Sequence, residues 1–207
     1  IPLCVASADE SERIRNINPN GLESTPFNSR YYFEQGVGDN VVGYTLAISP
    51  EQLDEYRRQG YRGDERVGAD GIESWAEDYL AGKHGGTLYV VNPTTGQIVT
   101  KEGESPAKAA DSVYLTIDRN LQKNAQDAIK PFTGAVVVLE RDTGRVLAMV
   151  SSPGFDPNAF EPVNYNSSTL LSQLDNQDRP LLNRATQGLY PLGSVFKTVT
   201  MVAALGR

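Results

Sequence analysis

The chain has 207 residues, enough for one or two domains with a buried core, and its 39% hydrophobic and 22% charged content is that of an ordinary globular protein. A formal net charge of -7 with no basic stripe argues against nucleic acid as a partner, and no apolar run is long enough for a membrane span. One cysteine, Cys4, excludes an intrachain disulfide and a cysteine-based metal site, and the single histidine, His84, makes a Ser-His-Asp triad improbable.

The opening Ile1-Pro-Leu-Cys-Val-Ala-Ser7 is apolar but too short, and lacks the basic flank of a signal peptide. Without an initiating methionine, these residues are expected to come from the middle of a longer gene product. Ser49-Pro50-Glu51-Gln52 reads as a capping box with proline at the first helical position, leading into Leu53 and Tyr56. Asp70-Gly-Ile-Glu73 is its acidic counterpart. Ile72, Trp75, Ala76, Tyr79 and Leu80 then predict one apolar helix face, ended by Gly82. Thr87–Val91 and Gln97–Thr100 flank Pro93-Thr-Thr-Gly96 as a hairpin. Lys101 to Asp111 is polar and reads as a solvated linker, the natural domain boundary.

Val113 to Ile117 predicts a short strand, and Asp118 caps a helix with Leu121, Ala125, Ala128 and Ile129 on one side. Gly134–Leu139 and Val146–Val150 form the clearest hairpin. Both arms are nearly continuous apolar runs, so the ribbon is expected to be covered on both faces. Residues 153–180 are rich in Pro, Asn, Asp and Ser and read as a long loop region.

The last segment carries the chemistry. Lys197 is the one charge between Arg184 and Arg207, in the run Ser194-Val-Phe-Lys197-Thr-Val-Thr-Met-Val-Ala-Ala-Leu205. That run is apolar all round and predicts a buried helix, in which a lysine needs a partner or gives up its proton. Helical spacing sets Lys197 on the same face as Ser194, as a base that could activate the hydroxyl. Gly193 would let a substrate backbone approach, and the free N–H groups of the first turn favour developing negative charge. On residues 191–205 alone, a serine N-cap followed by a snorkelling lysine is the equal alternative. A second Ser-x-x-Lys, Ser105-Pro-Ala-Lys108, lies in the polar stretch and reads as a chance match. No glycine-rich phosphate loop is present and no cofactor or metal is expected.

Leu115-Thr-Ile-Asp-Arg-Asn-Leu-Gln122, Gly134–Leu139, Gly144–Pro153, Phe155-Asp-Pro-Asn158, Asn183–Gly188 and Tyr190–Lys197 together resemble the start of a penicillin-binding transpeptidase domain. Val41–Tyr44, Gly71–Glu73 and Leu80–Gly82 resemble the non-catalytic pedestal of class B members. The resemblance implies an α+β fold: a pedestal over residues 1–111, then the first part of a transpeptidase domain, an antiparallel sheet with helices, over 112–207. It implies Ser194 as the acyl-accepting nucleophile and Lys197 as its general base, acting on peptidoglycan stem peptides. β-Lactams would acylate the same serine. Expected partners are a membrane-embedded glycan polymerase and division or elongation proteins, at the extracytoplasmic face of a bacterial membrane and anchored by a preceding segment. A β-lactam-reactive sensor or hydrolase, and a non-enzymatic interaction module, are the competing readings.

Two departures qualify the resemblance. Leu192 stands where proline is usual, and no Lys-Thr-Gly follows Ser194 within the chain. A C-terminal remainder is therefore expected to complete the site. Residues 1–207 alone are expected to self-associate and to react poorly with penicillin.

Overall fold

A serine opens the first helix of the computed structural model, which describes residues 6–17, 19–25, 29–164 and 168–206; Cys4 lies outside them. Ser7 and Glu10 exchange bonds at the head of α1 (Ala8–Ile17): the Ser7 N–H donates to the Glu10 carboxylate at 2.8 Å, and the Glu10 N–H to the Ser7 hydroxyl at 3.3 Å. A 3-10 turn at Phe33–Gln35 precedes α2 (Asp39–Val42) and β1 (Thr45–Ala47). Ser49–Gln52 is a turn rather than the helix start itself: the Gln52 N–H donates to the Ser49 carbonyl at 3.0 Å, and α3 (Leu53–Arg58) begins after it. β2 (Arg66–Gly68) returns antiparallel to β1.

The helix expected after Asp70 exists, but as two pieces. Asp70 accepts from the Gly71 N–H to open α4 (Gly71–Trp75), and a break at Ala76 (φ -102°, ψ 16°) separates it from α5 (Glu77–Leu80). The break rotates the expected apolar face. Ala76 and Glu73 point inward, while Trp75 and Tyr79 are 74% and 56% exposed. Gly82 (φ 68°) ends the segment where a Cβ would sit 2.7 Å from the Lys108 carbonyl oxygen.

β3 (Gly86–Val91) and β4 (Ile98–Ser105) form the expected hairpin, which is longer than predicted. Lys101–Ser105 is strand, not linker, because backbone pairing with Gly86–Tyr89 needs no apolar side chains.

Residues 113–117 lie beside the next sheet without becoming a strand. They contribute the Thr116 hydroxyl to the Val146 carbonyl (2.7 Å), and the Asp118 N–H follows to the Leu147 carbonyl (2.9 Å). The Asp118 carboxylate then caps α6 (Arg119–Ile129) by accepting from the Leu121 N–H at 2.8 Å. Gln122 is fully buried on this helix. Its carboxamide accepts from the Met149 N–H and donates to the Met149 carbonyl, both at 2.8 Å.

β5 (Gly134–Leu139) pairs antiparallel with β6 (Val146–Ser152). The ribbon is covered unevenly: Ala148, Val150, Ser151 and Ser152 are buried, whereas Val137 and Leu139 of β5 are about half exposed. Residues 153–164 are no surface loop. Two 3-10 turns, Pro157–Phe160 and Pro162–Asn164, drive Phe155, Ala159, Phe160 and Glu161 into the core. α7 (Ser168–Leu174), α8 (Arg184–Gln187) and α9 (Phe196–Leu205) follow.

One core spans both halves of the chain. Tyr44 stacks on Phe160 with ring centroids 4.0 Å apart and meets Phe155 edge-on at 5.7 Å. Asn158 clamps the Tyr32 backbone from both sides, at 2.9 Å each. The buried Glu161 carboxylate accepts from the Ser29 hydroxyl (2.8 Å), the Arg30 N–H (3.2 Å) and the Thr45 hydroxyl (3.3 Å), and pairs with Arg66 at 3.4 Å. The Asp39 carboxylate accepts from the Asn40 and Phe155 N–H groups at 2.7 and 2.8 Å. Gln126 reaches back to accept from the Gly38 N–H at 3.0 Å.

Candidate active site

The approach to Ser194 is anchored on β6. Ser151 donates its hydroxyl to the Leu182 carbonyl (2.9 Å) and accepts from the Arg184 N–H (3.0 Å). The largely buried Arg184 guanidinium donates to the carbonyls of Arg179 (3.0 Å), Leu182 (3.4 Å) and Asp178. Asn183 caps α8 by accepting from the Ala185 and Thr186 N–H groups. Neither Arg184 nor Ser151 stands out in the sequence as part of the site. The signal was an arginine directly after a capping asparagine, in a segment otherwise free of charge.

Beyond α8 the chain leaves the core: Leu189, Tyr190 and Leu192 are exposed. Gly193 adopts φ 54° and heads a 3-10 turn, Gly193–Val195, that runs straight into α9. A Cβ at Gly193 would meet nothing within 4 Å among the described residues, so within the chain it is the left-handed backbone that calls for glycine here. Ser194 is the middle residue of this turn and Lys197 the second of α9, three residues apart along one continuous helical run. In a 3-10 turn residues i and i+3 eclipse, which sets the two side chains on a shared face.

The serine N-cap alternative does not form: the cap position of α9 is Val195, with no side-chain bond. The helix itself is exposed. Every described residue of 193–206 is exposed, Val202 at 67% and Leu205 at 79%, and Lys197 forms no ion pair among the described residues. Burial of an apolar helix needs a surface to pack on, and no described element covers α9. Thr198 and Thr200 satisfy their hydroxyls locally, on the carbonyls of Val195 (2.8 Å) and Phe196 (3.2 Å).

The other sequence candidates lie elsewhere. His84 pairs with Glu65 at 2.7 Å in the first half. Ser105 ends a strand and Lys108 pairs with Asp111 at 3.5 Å, so the second Ser-x-x-Lys has no helical geometry. A cavity of about 570 Å³ lies between residues 34–39, α6 and residues 150–156, and takes no wall from 183–206. Among the described residues no helix is long and apolar enough to cross a membrane, and no three His, Cys, Asp or Glu side chains converge as a metal site.

Residues 5–115 match the penicillin-binding protein dimerisation domain, and residues 134–207 match the penicillin-binding protein transpeptidase domain. The chain belongs to the penicillin-binding proteins. Its α+β arrangement is that of a pedestal followed by the N-terminal part of a transpeptidase domain. It is 34% identical over 189 residues to the peptidoglycan D,D-transpeptidase MrdA of Escherichia coli, covering 89% of this chain and 30% of that protein. It is also 34% identical over 161 residues to penicillin-binding protein 3 of Bacillus subtilis, covering 77% of this chain and 23% of that one. The chain thus spans under a third of these relatives. Among solved structures, PBP2 of Helicobacter pylori in complex with MreC superimposes with a TM-score of 0.81 at 26% identity, covering 97% of this chain and 37% of that one. PBP2 of Pseudomonas aeruginosa in complex with WCK 5153 gives 0.64 at 31% identity, covering 88% and 36%.

Proposed function

We propose that this penicillin-binding protein is a peptidoglycan D,D-transpeptidase in which Ser194 is the nucleophile and Lys197 its base. The observation that carries the reading is the left-handed Gly193 delivering Ser194 into the turn that opens α9, with Lys197 three residues on, inside the stretch that matches the transpeptidase domain. The Ser194 oxygen attacks the carbonyl carbon of the penultimate D-alanine while Lys197 takes the hydroxyl proton. The carbon–nitrogen bond to the terminal D-alanine then breaks, and that amine leaves with the proton, giving an acyl-serine. An amine from a neighbouring stem attacks the ester, forms the cross-link and returns the hydrogen to Ser194.

Proton transfer of this kind needs a free amine held out of water, so the reading includes closure of the exposed α9 by further parts of the whole protein. Residues 1–111 serve as pedestal and 112–207 as the first part of the catalytic domain. The work is done at the extracytoplasmic face of a bacterial membrane. The likeness to the MreC complex supports an elongation-type partner of the same kind for this protein.

The test is a fluorescent penicillin on the whole protein, with the adduct located by mass spectrometry. Label on Ser194 is expected, and label on Ser105 or any other serine overturns the assignment. Lys197→Ala is expected to slow acylation by roughly 10²- to 10⁴-fold.

A further inference from the structure

The cavity between residues 34–39 and 150–156 has the volume of a small-ligand site, about 570 Å³ against a usual range of roughly 300–1,000 Å³. Most of its polar lining is already engaged. Glu34 pairs with Arg119, Lys123 with Asp127 at 3.0 Å, and Gln126 with the backbone at Gly36 and Gly38. The Asp39 carboxylate is held by two backbone N–H groups.

Two groups are left over. The Lys130 ammonium has no ion pair or hydrogen bond among the described residues, and Gln173 Oε1 is buried without a partner among them. An ammonium seeks an anion, and a buried carbonyl oxygen that lacks a donor is destabilised until one arrives. Ile129, Val150 and Phe155 are the apolar side chains of the lining beside Val37 and Pro153.

The loop that closes this space is held in an unfavourable backbone. Glu34 and Gln35 take φ 49° and 56°, uncommon for residues with side chains, and Arg119 pins them by its pair with Glu34 and by lying 5.7 Å above the Phe33 ring. Strain of this kind recurs at ligand clamps.

We propose that this cavity binds the C-terminal end of a short peptide, its free carboxylate on Lys130, an amide N–H on Gln173 Oε1, and a small side chain against Ile129 and Phe155. Resting on the transpeptidase reading, the peptide is a wall stem whose terminal D-alanine has been removed by hydrolysis rather than by cross-linking, which leaves the remaining D-alanine with a free carboxylate. The site holds spent polymer at the seam of the two halves, apart from the Ser194 turn.

The experiment uses the whole protein pre-acylated with penicillin, so that the Ser194 site is closed, and titrates a stem tetrapeptide ending in one D-alanine by calorimetry. Saturable binding is expected, weakened at least roughly tenfold by Lys130→Glu and by Gln173→Leu, with the acylation rate of both variants unchanged. Lys130 is exposed, so its substitution leaves the fold intact and keeps the test readable. No binding up to about 10 mM, or binding indifferent to both substitutions, overturns the proposal. If penicillin fails to label Ser194, the same titration on untreated protein still reads the cavity, so failure of the catalytic reading and failure of this one are told apart.

Discussion

Asp39 is where a single ionisable group feels the whole core. Burial pushes its carboxyl up to about 6 from an ordinary value of 3.8, against the Phe155 and Asn40 N–H groups that favour the charged form. The folded state therefore holds this proton more tightly than the unfolded chain. The associated stability is fully present below about pH 4 and is lost as pH rises through about 6, a span of about 3 kcal/mol. Denaturant titrations of wild type and Asp39→Asn at several pH values isolate the contribution. The wild type is expected to lose about 1 kcal/mol relative to the variant between pH 5 and pH 7. A difference that stays flat across that interval would mean the carboxyl is not raised. Gly193 makes the complementary point. Its replacement by alanine meets no steric obstacle among the described residues, so slower acylation with a small fall in melting temperature is the expected result, both from the cost of the left-handed backbone.

Among the elements, those announced by a local signal form where the sequence puts them. Asp118 and Asn183 cap their helices through the bonds their side chains predict, and the two hairpins pair as their strand patterns require. Asp118→Ala is accordingly expected to cost about 1 kcal/mol in a denaturant titration, with no loss of the fold. Elements decided by distant partners were not legible. The break at Ala76 turns Trp75 outward because Glu73 is drawn toward Arg30 and Tyr32, more than 40 residues earlier. Residues 153–164 look like a loop by composition, yet their two phenylalanines fill the core against Tyr44, a contact no local pattern can reveal. The candidate site divides the same way. Ser194 and Lys197 at the head of a helix follow from spacing and a glycine, whereas the exposure of that helix depends on what packs on it.

At the scale of the molecule, Glu161 ties the stretches on either side of residues 101–111 into one core. This buried carboxylate gathers Ser29, Arg30, Thr45 and Arg66 from the first half around a residue of the second. Glu161→Ala leaves Arg66 without that charge and is expected to cost roughly 3–5 kcal/mol. Hydrogen exchange should then rise together in β1–β2 and β5–β6; a rise confined to one pair would show that the halves are uncoupled. The bonds from Gln122 to Met149 have a different kind of consequence. Together with Thr116 and Asp118, that one carboxamide occupies outer backbone groups of β6 at Val146, Leu147 and Met149 as an added strand would, while β5 has only β6 as a strand partner among the described residues. A strand from elsewhere can therefore be recruited only alongside Gly134–Leu139, which makes extension of this sheet vectorial.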